Sequence, residues 1–144
     1  MVIGYGQDDR VCAFTSLKAI LEMEQVEKTA VCLLVDKEEV GSQGATGMQS
    51  RFFENALAEV MDRLQDYSEL KLRRALQHSK MLSSDVSAAF DPNYAGVMET
   101  NNCAYFGKGI VFNKYTGARG KSGCNDANAE YLAELRAIME KGNV

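Results

Sequence analysis

The chain has 144 residues, 46% of them hydrophobic and 25% charged, with one proline, one histidine, four cysteines and a formal net charge of −4. That composition describes one average domain with enough apolar material for a core, and it excludes a disordered or linker-rich chain. The acidic balance gives no electrostatic footprint for nucleic acid, no apolar run reaches the length of a membrane span, and Met1 to Gln7 lacks the basic-then-apolar order of a signal peptide. The expectation is a cytoplasmic protein with neither nucleic acid nor membrane as a partner.

In chain order, Val11, Phe14, Leu17, Ile20 and Leu21 recur at helical spacing and predict an amphipathic helix over 10–24, with Asp8 and Asp9 placed to cap its start and favour its dipole. Thr29 to Val35 is apolar and β-branched on both parities, the pattern of a strand covered on both faces in a parallel sheet. Glu38 and Glu39 leave that strand and enter the glycine-studded stretch from Gly41 to Gly47. Phe53, Leu57, Val60, Met61 and Leu64 mark a second helix beginning near Gln49, and 67–77 reads as a short charged helix. Lys80 to Val86 reads as a short strand ending at Asp85, 88–107 as loop rich in turn residues, and Ile110 to Phe112 as another strand. A last helix runs from about Asn125 to Lys141, with Tyr131, Leu132, Leu135, Ile138 and Met139 on one face and Gly142 as its stop. Helices alternating with buried strands predict one three-layer α/β/α unit over residues 1–144, without internal repeats.

Cys12, Cys32, Cys103 and Cys124 form no C-x-x-C pair and read as reduced thiols, Cys12 and Cys32 as core packing. His78, the single histidine, leaves little room for a histidine-based triad or metal centre. The chemistry therefore falls to the acids. In α/β sheets functional residues collect beyond the carboxyl ends of strands, where Glu38, Glu39 and Asp85 sit, and Asp8 lies in the loop entering the first helix. Neighbouring carboxylates raise each other's pKa, so adjacent acids stay ionised most easily around a divalent cation. The plainer readings are a solvated Glu-Glu pair, a helix cap at Asp8 and a turn residue at Asp85.

Three separated motifs carry a family resemblance: QDDRVCAFTSL from Gln7 to Leu17, DKEEVGSQGATGMQS from Asp36 to Ser50, and SSDVSAAFDPNY from Ser83 to Tyr94. They resemble the aspartyl aminopeptidase and vacuolar aminopeptidase I family of co-catalytic zinc exopeptidases. The block KGIVFNKYTGARGKSGCNDANAEY from Lys108 to Tyr131 is similar to bacterial members. The likeness extends over essentially all of this chain, which matches only a central-to-late part of the family's catalytic domain. It implies an incomplete three-layer α/β/α zinc-exopeptidase fold and two divalent metal ions, zinc by resemblance with manganese or cobalt as alternatives. The substrates implied are peptides with an acidic first residue, and the assembly a homo-oligomer of the full-length protein.

Position by position, Asp8 matches the carboxylate that bridges the metals, Glu39 a terminal ligand of one and Asp85 a terminal ligand of the other. Glu38 matches the general base, and Asp9 stands behind the ligands. Lys114 and Arg119, with Lys121 nearby, are the candidates for reading an acidic substrate residue; the position after Phe112, where the family pattern calls for lysine, holds Asn113. Full members also supply one histidine to each metal from segments that this chain does not contain, and the carboxylates that remain form an all-oxygen set suited to Mg²⁺ or Mn²⁺. A competing reading is a non-catalytic α/β remnant or assembly module lacking the histidine ligands. A nucleotide-binding reading of Gly41, Gly44 and Gly47 fails because no Gly-Lys-Thr or dinucleotide spacing accompanies them.

Overall fold

The computed structural model describes residues 3–101, 103–113 and 128–144. Among them are the helices α1 (Gln7–Leu21), α2 (Phe52–Arg63), α3 (Glu69–Gln77) and α4 (Ala129–Gly142), and the 3₁₀ turns Glu38–Val40 and Pro92–Val97. The chain divides into two compact units, Met1–Val86 and Ser87–Val144, where composition alone predicts one.

In the first unit, α1 starts earlier than its apolar period because Gly6 turns the chain with a left-handed backbone at φ 68°, and Asp8 and Asp9 follow in non-helical conformations. Regular helix begins only near Arg10, where the spacing Val11, Phe14, Leu17 sets in. α2 and α3 pack as a helical hairpin. Its connection is closed by Gln65 at φ 57°, with the Gln65 amide donating to the Asp62 carbonyl at 2.8 Å and the Asp66 amide to that of Met61 at 3.0 Å. Ser68 then adopts an extended backbone and its side chain accepts from the Lys71 amide at 3.2 Å, which satisfies one of the free donors of the first turn of α3. Arg73 pairs with Glu69 one turn earlier at 2.5 Å, and Leu72 between them faces inward and is buried.

In the second unit, Ala89 and Ala104 form an isolated parallel bridge, reinforced by the Phe90 amide donating to the Ala104 carbonyl at 2.7 Å. Phe90 stacks on Tyr105 with ring centroids 5.4 Å apart. Asp91 caps the turn Pro92–Val97 by accepting from the Asn93 amide at 2.8 Å. α4 is capped in the same manner by Asn128, whose side-chain oxygen accepts from the Tyr131 amide at 2.8 Å, and Leu135 is its buried position.

The helices lie where the 3.6-residue period put them, whereas the strands at 29–35, 80–86 and 110–112 do not form ladders among the described residues. A strand needs a neighbour to take up its N–H and C=O groups, and one buried on both faces also needs covering layers. Here Val31, Leu34, Met81, Leu82 and Ile110 are exposed. The sequence pattern registers a burial that these residues do not supply to one another.

Candidate metal centre

The opening of α1 and the segment leading to Val86 bring three carboxylates together. Asp8, Asp9 and Asp85 each offer an oxygen, and these oxygens all lie within 4.8 Å of one another. The peptide joining Asp8 to Asp9 is cis. Asp85 is fixed locally by its own loop, its Oδ1 accepting from the Val86 amide at 2.8 Å. Asp9 Oδ1 is buried and accepts no hydrogen bond, which is an unfavourable condition for a carboxylate oxygen unless a cation or donor faces it. Three like charges at this separation, with one oxygen buried and unpartnered, fit a hard divalent cation held by oxygen ligands.

Cys12 stands behind this group. Three residues on from Asp9, its thiol lies close enough to Asp9, Ser84 and Asp85 for all three to act on its protonation, so it faces both segments that deliver the acids. Burial first, and then the neighbouring Asp9, push the thiol above its ordinary range, while Ser84 acts in the opposite sense. A plain core reading of Cys12 therefore misses its position, because the non-helical backbone at Asp9 is what brings that carboxylate to it.

Glu38 and Glu39 occupy their own short turn. Lys37 enters it at φ 69° and Gly41 leaves it at φ 78°, and the Gly41 amide closes it by donating to the Glu38 carbonyl at 2.9 Å. The Asp36 side chain accepts from the Lys37 amide at 2.8 Å and pairs with the Lys37 ammonium at 2.6 Å. The Lys37 contacts hold the Asp36 carboxyl below its usual range.

Of the residues singled out from sequence, Asp8 and Asp85 are brought together, and Asp9 joins them as a third oxygen donor rather than standing behind. Glu38 and Glu39 lie outside that grouping, on the turn Glu38–Val40. His78 caps the end of α3 and is not in the group either. Lys114, Arg119 and Lys121 lie outside the described residues.

Known proteins resemble this chain along its whole length. The aminopeptidase I zinc metalloprotease (M18) family matches residues 1–143. A probable M18 family aminopeptidase 1 of Clostridium acetobutylicum is 70% identical over 144 residues, covering 100% of this chain and 31% of that protein. The crystal structure of aminopeptidase I from Clostridium acetobutylicum superposes with a TM-score of 0.78 at 70% identity, over 96% of this chain and 29% of that one. The M18 aminopeptidase structure from Thermotoga maritima does so with a TM-score of 0.85 at 39% identity, over 98% of this chain and 31% of its own. The chain thus spans about a third of the length of the relatives it matches.

Proposed function

Because this chain belongs to the aminopeptidase I zinc metalloprotease (M18) family, we propose that residues 1–144 are a portion of a metal-dependent aminopeptidase catalytic domain that removes N-terminal, acidic residues from peptides. The observation that carries this reading is the meeting of the adjacent Asp8 and Asp9 with Asp85, remote from them in sequence, around a point suited to a divalent cation. Two ions, zinc by family, would be held with Asp8, Asp85 and Glu39 among their ligands, Glu39 lying outside the group that Asp8 and Asp85 form here, and would supply Lewis acidity there.

In this reading the chain's own part is proton handling and placement. Glu38 takes a proton from the attacking water as the first peptide bond is opened, and returns it to the leaving amine, so that the nitrogen departs neutral. Asp9 adds a third carboxylate oxygen beside Asp8 and Asp85, and Cys12 lies against it. Lys114 and Arg119 are the candidates for pairing with an acidic side chain at the substrate's first position. The three-layer α/β/α fold belongs to the same proposal, with 29–35, 80–86 and 110–112 becoming strands when the rest of the sheet is present. The whole protein is taken to be a cytoplasmic homo-oligomer; among the described residues no helix is long and apolar enough to cross a membrane.

The test is hydrolysis of an aspartyl amide by the full-length protein containing this chain, with bound zinc measured alongside, for the parent and for Glu38→Gln. Loss of general-base catalysis should lower kcat by about 10²–10⁴-fold with metal content retained. A parent that binds no metal and turns nothing over would favour the remnant reading instead.

A further inference from the structure

We propose that Gln49 is a positioning residue that fixes the turn carrying Glu38 and Glu39, a role that rests on the reading of Glu38 as general base. That turn is closed by backbone amides, those of Gly41 and Ser42 donating to the Glu38 and Lys37 carbonyls at 2.9 and 2.8 Å. It is a three-residue 3₁₀ turn, a geometry with poor hydrogen bonds. Lys37 and Ser42, at its two sides, both adopt φ values in the left-handed region, 69° and 58°, which side chains other than glycine occupy at a cost. Such conformations persist only where the surroundings over-determine them.

The surroundings here are the loop that follows, and Gln49 is its tie. The Gln49 Nε2 donates to the Gly41 carbonyl at 2.7 Å, at the residue where the turn ends. Its Oε1 accepts from Gln43 Nε2 at 3.0 Å, and its backbone amide donates to the Ser42 carbonyl at 3.3 Å. The loop is drawn in so closely that Gly47 is buried, and a methyl group at Gly47 would overlap the Ser42 carbonyl oxygen. On the far side, the Ser50 amide and hydroxyl both donate to the Gly47 carbonyl, at 3.0 and 2.6 Å, and the Phe52 amide donates to the Ser50 hydroxyl at 3.2 Å, opening α2. Gln49 therefore links the start of a regular helix to the carbonyl at the end of the acid-bearing turn. Only a primary amide both donates to Gly41 and accepts from Gln43 at this length; a carboxylate loses the donor and a thioether loses both.

The experiment uses the full-length protein containing this chain and an aspartyl amide substrate. Gln49→Met should lower kcat about tenfold, a barrier change of about 1.4 kcal/mol, with KM and zinc content within about twofold of the parent on that same scale. Hydrogen exchange at the Gly41 and Ser42 amides, which close the turn, should accelerate. Gln49→Glu, which keeps the length and the acceptance from Gln43, should show the same split between kcat and KM and guards against a failure of Gln49→Met to fold. Parental kcat in both variants, with Glu38→Gln inactive, would overturn the positioning role alone. Full turnover by Glu38→Gln, with unchanged exchange at Gly41 and Ser42, would overturn the base assignment on which it rests.

Discussion

Cys12 shows how a residue's meaning changes between sequence and structure. Its place in an apolar helix period reads as packing, yet the thiol is set between Asp9 and Ser84 beside three clustered carboxylates. Burial and the neighbouring Asp9 favour the neutral thiol, so its folded pKa lies above the ordinary 9.0. The stabilisation that follows is complete below 9.0 and is lost as pH rises through the higher folded value. Because the thiolate is the reacting species, Cys12 should be alkylated by iodoacetamide much more slowly than an unfolded-peptide control at neutral pH. The rate should climb only above pH 9.0, as followed by peptide mass mapping. Equal rates for protein and peptide across that range would mean that the thiol does not sit against Asp9. The sequence reading has Asp8, Glu38, Glu39 and Asp85 converge; Asp8 and Asp85 meet, while Glu38 and Glu39 lie outside that group. The inclusion of Asp9 was not legible, because only the non-helical backbone at Asp8 and Asp9 lets both side chains reach the same point.

At the level of elements, helices were readable and strands were not, for a physical reason. A helix satisfies its backbone internally, so the period of Phe53, Leu57, Val60 and Met61 suffices to place α2, and a capping serine suffices to start α3. A strand depends on partners elsewhere in the chain, and apolar content at 29–35 says only that partners are required. The caps carry measurable energy. Ser68→Ala removes the acceptor for the Lys71 amide and should lower the unfolding free energy of the full-length protein by about 1 kcal/mol in urea titration, provided unfolding is two-state. By contrast, Arg73→Ala breaks an exposed ion pair with Glu69 and should change stability by no more than about 0.5 kcal/mol. A Ser68→Ala effect as small as that of Arg73→Ala would show that the cap contributes nothing beyond solvent hydrogen bonding.

Among the described residues, most large apolar side chains are uncovered. Leu72 and Leu135 are the buried hydrophobic residues among those described, while Ile3, Phe14, Leu21, Leu34, Phe52 and Leu64 stand exposed with many others. With so few apolar side chains buried, this exposure fits surface that other parts of a longer protein cover. Solved relatives hold nearly the same chain path within proteins about three times as long. The 144 residues expressed alone should therefore bind an apolar dye strongly and unfold without a cooperative transition, whereas the full-length protein should do neither. A sharp calorimetric transition for the isolated chain would refute this. Composition foresaw a self-sufficient core, since 46% hydrophobic residues are ample for one. What composition cannot register is which of those residues face one another within the chain and which await neighbours from outside it.

The ring pair of Phe90 and Tyr105 has a practical consequence for following these events. This chain contains no tryptophan, so its near-ultraviolet optical activity comes from tyrosine and phenylalanine. Tyr105 is held both by the stack and by its hydroxyl donating to the Thr100 carbonyl at 3.2 Å. That gives the second unit a native chromophore, and the part of the tyrosine dichroic band that Tyr105→Phe removes will report the closing of the Ala89 and Ala104 bridge without any attached label.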